Sequence, residues 1–236
     1  MISVALFDLD DTLFAHRLAV RDGIAAHIAS TIPGVDASAH LDRWDELEEL
    51  HYHRYLSGEL DYLGQRRARA SDFMTAFGVE FAEDHHAETW FETYLLEYVR
   101  AWTLFDDAIP CLDQLAGLGV RVGIITNGIP SFQAPKLETL ALAERMEHVI
   151  TSGEFGAAKP DPSIFLHACA LFGVEPGESL YVGDRLHTDA IGASAVGMSG
   201  VWLDRGSAAT ADDLAAARAS DVRIISTLAE VMSGIA

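Results

Sequence analysis

The sequence predicts an α/β protein with a doubly wound parallel sheet and an all-helical domain inserted after the first strand. From about residue 106 onward, short apolar runs typical of buried strands alternate with segments of helical periodicity, as parallel βαβ units require. Before that point, about a hundred residues separate Phe14 from the next strand-like run at Val120, whereas an ordinary βαβ crossover takes roughly thirty. The extra length indicates an insertion.

The first predicted strand is the apolar run that begins at Val4 and ends at a group of acids after Phe7. Further strands are predicted at 120–126, 148–150, 179–182, 200–203 and 223–225. Helices are predicted at 108–118, 132–142, 162–172, 189–196 and 211–217, and a last one near the C-terminus. The helix over 162–172 has Asp161 as a candidate N-cap, Pro162 in its first turn and Gly173 at its end.

The long segment between the first two strands repeats apolar and aromatic residues at helical spacings. These residues are Leu41, Trp44 and Leu47, then Phe73, Met74 and Phe77, then Phe91, Tyr94, Leu95, Tyr98 and Trp102. Turn signals at Pro33-Gly34, Ser57-Gly58 and Gly78 separate the groups. The sequence therefore predicts a helical cap domain over residues 15–103 and a sheet domain made of residues 1–14 and 104–236.

Composition narrows the functional classes. The 236 residues contain 16 Lys and Arg against 36 Asp and Glu, a net charge of −20, which makes nucleic acids and anionic membrane surfaces unlikely partners. Such a protein needs a bound cation or a local positive group to attract a phosphate ester. Cys111 and Cys169 have no metal-binding spacing, and no apolar segment has the length of a membrane span, so we expect a cytoplasmic protein. The sequence leaves open whether it is a monomer or a homodimer.

The acids after the first strand are the main candidate for chemistry. Asp8 and Asp10 are two residues apart, and residues two apart along a strand point to the same side. They also come at the carboxyl end of the strand, where open α/β sheets bind ligands. Two carboxylates this close need a shared cation such as Mg²⁺, or one of them must take up a proton.

Three later motifs also place polar groups where a strand ends or a helix begins. Thr126 and Asn127 end one apolar run and precede a glycine. Their hydroxyl, amide and backbone N–H groups are hydrogen-bond donors suited to a phosphoryl group. Lys159 stands just before the helix that starts with Pro162, and Asp184 ends a third strand. Asp189 follows five residues after Asp184.

This ordered set resembles the haloacid dehalogenase-like (HAD) hydrolase superfamily, in its phosphatase branch. The resemblance rests on Asp-x-Asp-x-Thr, Thr-Asn-Gly, Lys-Pro and Gly-Asp with a second Asp, in this order from Asp8 to Asp189. It implies a Rossmann-like core, Mg²⁺ as the cofactor and a small phosphomonoester as the substrate. Capped members of the superfamily carry a helical insertion at the position of the one predicted here.

The resemblance also implies residue roles. Asp8 would be the nucleophile that forms an aspartyl-phosphate, and Asp10 would protonate the leaving oxygen and then activate water. The Thr126 hydroxyl, the Asn127 backbone N–H and the Lys159 ammonium would bind phosphoryl oxygens. The predicted metal residues are Asp8, Asp10 through its backbone carbonyl, Asp184 and Asp189, the last as a ligand or as an acid that orients water ligands.

Several alternatives remain open at this point. A phosphosugar mutase would share every core motif, whereas a 2-haloacid dehalogenase would not need Asp10. Phosphonate cleavage by a related branch requires a cap lysine, and residues 15–103 contain none. A non-catalytic scaffold or a phospho-aspartate signalling domain is disfavoured, since every motif position holds a competent group and a receiver-like domain would lack the insertion.

A site covered by a cap domain favours a small substrate, such as a nucleoside monophosphate, a sugar phosphate or phosphoglycolate. Within the cap, arginines are suited to holding the far end of an anionic substrate. The candidates are His16, Arg17, Arg54, Arg66, Arg67 and Arg69. The close histidine pairs are interpreted as surface residues, because their spacings do not place two rings on one ligand. They are His51 with His53 and His85 with His86.

Overall fold

A computed structural model describes residues 1–235, apart from the side chain of Leu56. Its strands are β1 (Val4–Phe7), β2 (Arg121–Thr126), β3 (His148–Thr151), β4 (Ser179–Gly183), β5 (Ser199–Leu203) and β6 (Arg223–Ile225). Its α-helices are α1 (His16–Thr31), α2 (Leu41–Leu56), α3 (Tyr62–Thr75), α4 (Asp84–Arg100), α5 (Ala108–Gly117), α6 (Pro130–Thr139), α7 (Ser152–Phe155), α8 (Pro162–Phe172), α9 (Gly192–Ser194) and α10 (Ala211–Ala219).

The six strands form one parallel sheet in the order β3-β2-β1-β4-β5-β6. This confirms the predicted doubly wound α/β fold. The chain runs outward from β1 to one edge and then returns to β4 to build the other half, so the strand order reverses between β1 and β4. Open α/β sheets bind their ligands at the carboxyl ends of the strands at such a switch point.

The chain divides into two compact units. One consists of residues 1–15 and the chain from Thr103 onward, and it contains the whole sheet. All four residues of β1 are buried, as expected for a central strand covered on both faces. On one face Leu6 and Tyr181 belong to a core that also contains Ile164, Phe165 and Phe172 of α8.

The other unit, His16–Trp102, is helical, and within its described residues there is no strand. Its α-helices α1–α4 pack around an aromatic core that includes Trp44, Phe73 and Tyr94. Gly23 lets α1 approach α4 closely, because a Cβ there would lie 2.7 Å from the Tyr98 Cα. The assignment of this unit as a substrate cap stays a prediction.

Three predicted helices differ from the structure. The helix predicted over 132–142 is α6, which begins earlier because Pro130 fits the first turn of a helix. The segment predicted as a helix over 189–196 is a π-helix at Leu186–Ile191 followed by the single turn α9. The last helix is a 3₁₀-helix at Leu228–Gly234. π-helical turns occur often at functional sites, and this one carries Asp189.

The surface interpretation of one histidine is wrong. His51 is buried, and its two ring nitrogens lie 2.9 Å from Asp72 Oδ2 and 3.2 Å from Arg54 Nη1. His53, His85 and His86 are exposed. His51 differs because it is on the face of α2 that packs against α3, which the spacing of the histidines alone did not reveal.

No helix among residues 1–235 is both long enough and apolar enough to cross a bilayer.

Candidate active site

The predicted motif residues meet at the carboxyl ends of three adjacent strands. Asp8 directly follows β1, Thr126 is the last residue of β2, and Asp184 directly follows β4. The backbone N–H of Asp8 continues the sheet by donating to the Val182 carbonyl at 2.8 Å. The sheet therefore fixes the position of the Asp8 backbone at the switch point of the fold.

Lys159 lies buried among these acids. Its Nζ donates to Asp8 Oδ1 at 2.6 Å, to Asp189 Oδ1 at 2.7 Å and to the Tyr181 hydroxyl at 2.7 Å. An ammonium has three N–H donors, so these contacts use all of them. Burial by itself lowers the pKa of Lys159, but the charges of Asp189 and Asp8 outweigh it, and the net pKa is raised. The ammonium therefore remains charged in the buried site.

Tyr181 completes this arrangement from the middle of β4. Its hydroxyl donates to the Ile125 carbonyl at 2.9 Å while it accepts from Lys159. Burial raises the pKa of Tyr181 well above its usual range, and the neighbouring carboxylates raise it further. The phenol stays protonated and orients Lys159. Nothing in the motif pattern pointed to this residue.

The acids outnumber the cations around Asp8. Burial is the largest influence on the pKa of Asp8 and raises it, and Lys159 opposes that rise. The negative charges of Asp189, Asp184 and Asp10 add to the effect of burial, so the pKa lies well above its usual range. An additional cation is needed to keep all of these carboxylates ionised.

The geometry of the acids suits such a cation. One carboxylate oxygen from each of Asp8, Asp184 and Asp189 lies within 4.8 Å of the others. Oxygen ligands from carboxylates are those that Mg²⁺ prefers, and Mg²⁺ also keeps several waters. The residues present therefore fit a hard divalent cation.

Asp189 is held through both of its carboxylate oxygens. Its Oδ2 accepts from the backbone N–H of Arg185 at 3.0 Å, and its Oδ1 accepts from Lys159. Gly183 provides the space for it, because a Cβ at that position would overlap the Asp189 carboxyl group. Both oxygens already accept hydrogen bonds, which suits an acid that orients other groups.

Asn127 contributes its side chain as well as its backbone. Its Oδ1 accepts from the Lys159 backbone N–H at 2.8 Å, and its Nδ2 donates to the Lys159 carbonyl at 2.9 Å. This pair of bonds fixes the backbone of Lys159 against the end of β2. The sequence predicted only a backbone role for Asn127, and that role stays a prediction.

Two further residues at the site come from α6. Lys136 Nζ lies 2.6 Å from Asp10 Oδ1, and Gln133 Nε2 lies 3.1 Å from Asp10 Oδ2. Gln133 Nε2 also lies 2.9 Å from the Thr126 hydroxyl. The sequence analysis missed both residues. A usable signal was present, since Lys136 and Lys159 are the only lysines and Gln133 is three residues before Lys136, on the same helix face.

The structure thus brings Asp8, Lys159, Asp184 and Asp189 into one cluster and joins Asp10 to Thr126 through Gln133. Three of the candidate arginines of the helical unit are engaged in ion pairs there. Arg69 pairs with Glu48, Arg54 with Glu59, and Arg67 with Asp61, Asp84 and Glu88. Their proposed contact with a substrate stays a prediction, as do the roles of the motif residues.

Two curated relatives align with most of this chain. A glyceraldehyde 3-phosphate phosphatase of Pyrococcus abyssi is 34% identical over 215 residues, which cover 87% of this chain and 83% of the relative. A phosphoserine phosphatase of Thermus thermophilus is 31% identical over 227 residues, 87% of this chain and 90% of the relative.

Solved structures give the same fold. The HAD hydrolase YfnB of Bacillus subtilis, described as bound to magnesium, superposes with a TM-score of 0.79 at 17% identity, covering 99% of this chain and 98% of that one. A HAD phosphatase of Thermococcus onnurineus superposes with a TM-score of 0.61 at 26% identity, covering 98% and 97%. The sequence profile of the haloacid dehalogenase-like hydrolases matches residues 2–197. These findings confirm the predicted family and the assignment as a phosphatase: the chain belongs to the haloacid dehalogenase-like hydrolases.

Proposed function

We propose that this protein hydrolyses a small phosphomonoester through an aspartyl-phosphate on Asp8, with Mg²⁺ as its cofactor. The observation that carries the proposal is the environment of Asp8. Its carboxylate lies at the switch point of the sheet, 2.6 Å from the Lys159 ammonium and within the acidic cluster that fits a divalent cation. A weakly nucleophilic carboxylate needs such neighbours before it can approach a dianionic phosphate.

In the first step, an oxygen of Asp8 attacks phosphorus and the bond to the leaving oxygen breaks. As Asp8 bonds to phosphorus, the Lys159 ammonium exchanges its hydrogen bond with Asp8 for one with a non-reacting phosphoryl oxygen, and the Thr126 hydroxyl donates to another. Asp10 protonates the leaving oxygen, and the product alcohol departs. In the second step Asp10 takes a proton from water, which attacks the phosphorus and releases phosphate and the free Asp8 carboxylate.

Asp8, Asp184 and the Asp10 backbone carbonyl would hold Mg²⁺, and Asp189 would orient its ligands. When bound, the ion supplies positive charge that offsets the repulsion between Asp8 and the phosphate. This assignment agrees with the raised pKa of Asp8, which burial and then the neighbouring acids cause.

Asp10 favours phosphate chemistry over dehalogenation. A 2-haloacid dehalogenase of the same fold is 26% identical to this chain, so the fold alone does not separate the two reactions. A halide leaves without a proton, whereas an alkoxide leaving group needs one. The contacts of Asp10 with Lys136 and Gln133 support a dedicated second acid at this site.

The relatives narrow the substrate class. Those described above are named for phosphate monoesters of three-carbon compounds, and N-acylneuraminate-9-phosphatases match a shorter region. We propose that the substrate is a small phosphorylated metabolite of this kind. Nucleoside monophosphates and phosphoglycolate belong in the same test.

Phosphate release from a panel of these esters, with Mg²⁺ and with EDTA, tests the proposal. The panel contains glyceraldehyde 3-phosphate, phosphoserine, a nucleoside monophosphate, a sugar phosphate and phosphoglycolate, with 2-chloropropionate as the dehalogenation control. We expect Mg²⁺-dependent turnover of at least one ester and no halide release. Asp8→Asn should reduce turnover by at least about 10³-fold, since it removes the nucleophile.

Asp113→Asn is a suitable control variant, because Asp113 pairs with Arg145 on the surface of α5. It should keep full activity. Phosphate release that survives in Asp8→Asn contradicts the proposed nucleophile, and halide release without phosphate release contradicts the proposed reaction. Interconversion of phosphate isomers without net hydrolysis indicates a mutase.

A further inference from the structure

Asp10 is held from one side by α6. Lys136 and Gln133 reach it from the same face of that helix, one to each carboxylate oxygen, at 2.6 and 3.1 Å. We propose that Lys136 and Gln133 are positioning residues that aim the Asp10 carboxyl group at the leaving oxygen of the substrate. This inference rests on the proposed function, because it concerns the acid of that reaction.

Lys136 is buried where it contacts Asp10. Its side chain is 9% exposed, although lysine is rarely buried without a specific partner. Besides Asp10 it lies over the ring of Phe14, with Nζ 5.0 Å from the ring centroid. Phe14 belongs to the same turn as Asp10, through a bridge between the two residues. Lys136 therefore contacts this turn through both charge and packing.

Gln133 connects two functional groups of the site. Its Nε2 donates to Asp10 Oδ2 and to the Thr126 hydroxyl, at 3.1 and 2.9 Å. Because Thr126 accepts from Gln133, its own hydroxyl proton is available for another acceptor, such as a phosphoryl oxygen. Gln133 thereby sets the spacing between the acid and a phosphate-binding group.

The third residue of the Thr-Asn-Gly motif supports this role. A Cβ at Gly128 would lie 2.7 Å from Gln133 Nε2, so any larger residue there would displace the amide. The glycine is therefore needed for the position of Gln133. The Gln133 Oε1 is buried and has no hydrogen-bond partner within residues 1–235, so this amide is held through its nitrogen alone.

The two contacts engage both carboxylate oxygens of Asp10, Oδ1 with Lys136 and Oδ2 with Gln133. In the proposed reaction this carboxyl group gives its proton to the leaving oxygen as the P–O bond breaks. Fixing the direction of this group matters, because a misplacement of about 1 Å can cost roughly 10²-fold in rate.

The test compares two esters that differ in their need for a proton. An alkyl phosphate has a poor leaving group that requires protonation, whereas 4-nitrophenolate leaves without it. For Lys136→Met we expect kcat/KM to fall by about 10²-fold with the preferred alkyl ester of the panel and by less than about threefold with 4-nitrophenyl phosphate. Asp10→Asn should show the same selectivity with a larger loss.

Glu138→Gln is the matched control, since Glu138 is exposed on the same helix and the change also removes one charge. It should leave both values unchanged. If Lys136→Met does not fold, as judged by its far-UV circular dichroism and urea midpoint, Gln133→Leu takes its place. Gln133→Leu should show an added loss with the alkyl ester, on top of a loss common to both esters through Thr126.

Equal losses with the two esters, or no loss, overturn the positioning role while the phosphatase reaction stands. If Asp10→Asn also loses the two activities equally, the proposed function of Asp10 is wrong, and the inference fails with it. If the native protein hydrolyses neither ester, the proposed function itself is wrong.

Discussion

The sheet unit and the helical unit both bury cationic side chains, and Lys159 and Arg69 show that they do so in different ways. In the sheet unit, the Lys159 ammonium donates to three oxygen atoms. In the helical unit, the Arg69 guanidinium lies 3.9 Å from the centre of the Trp44 ring and pairs with Glu48 at 2.9 Å. The first site surrounds a point charge with polar atoms, and the second stacks a flat cation on an aromatic face.

The two buried cations also differ in where their partners lie in the chain. The partners of Lys159 come from distant parts of the chain, Asp8 and Asp189, and both belong to sequence motifs. The partners of Arg69 are neighbours on α2 and belong to no motif. We propose that the polar atoms around Lys159 serve the reaction, whereas the stacking of Arg69 within an aromatic core serves the packing of four helices.

Removing Lys159 should give the largest effect and is the strongest test of this comparison. Lys159→Met leaves Asp8 and Asp189 buried without their cation, which should cost about 3 kcal/mol of unfolding free energy without metal. Phosphatase activity should fall by roughly 10³-fold. Because Mg²⁺ can replace the lost charge, the midpoint of thermal unfolding should rise more with added Mg²⁺ in the variant than in the native protein.

Arg69→Met is the counterpart in the helical unit. Methionine keeps part of the contact with Trp44 and removes the ion pair with Glu48, whose side chain is partly exposed and also lies 4.0 Å from His16. We expect a loss of about 1 to 2 kcal/mol that Mg²⁺ does not restore. If Mg²⁺ stabilises both variants equally, the two buried cations do not differ in the way proposed.

The contrast between the two units also explains which features of the fold and the site could be predicted from the sequence. The fold class and the main site residues were accessible, because strands that lead into Asp8, Thr126 and Asp184 have their carboxyl ends on the same side of a parallel sheet. Lys136 and Gln133 were missed, because their spacing marks a shared face of α6 but not that this face turns toward Asp10. The setting of Asp189 in its π-helical turn was hidden too, because its side chain contacts Lys159, which is 30 residues away in the chain. In the helical unit, periodicity located helices but not the burial of His51.

Substitution of one glycine in each unit, Gly23 and Gly128, extends the comparison between them. Gly23→Ala places a methyl group 2.7 Å from the backbone of Tyr98, so α1 and α4 must separate, at a cost of about 2 kcal/mol in unfolding free energy. Gly128→Ala meets only the end of the Gln133 side chain, which can move. It should cost less than about 1 kcal/mol but reduce kcat about tenfold through Asp10 and Thr126.

Urea unfolding and steady-state kinetics of both variants check this pair. We expect stability to fall mainly in Gly23→Ala and the catalytic rate constant to fall mainly in Gly128→Ala. A Gly128→Ala variant with native kinetics contradicts the need for a fixed Gln133. A Gly23→Ala variant of native stability indicates that α1 and α4 adjust more easily than their close backbone approach suggests.

The smallest expected effect is a pH dependence in the helical unit. Burial lowers the pKa of His27, and the charge of Glu97 offsets this only in part. The ring lies 4.5 Å from that of Trp90, and its Nε2 has no hydrogen-bond partner among the described residues. Because the unfolded chain binds this proton more readily, the contribution to stability is complete above a pH of about 6.5 and declines as the pH falls below it.

We expect the free energy of unfolding to decline between pH 7 and 5.5, and His27→Leu should remove that part of the pH dependence. Tryptophan fluorescence in urea is the suitable measurement, because three of the four tryptophans lie between residues 16 and 102. Asp72→Asn serves as the control for the second buried histidine, His51, whose ring it contacts. An unchanged pH slope in His27→Leu shows that another group titrates.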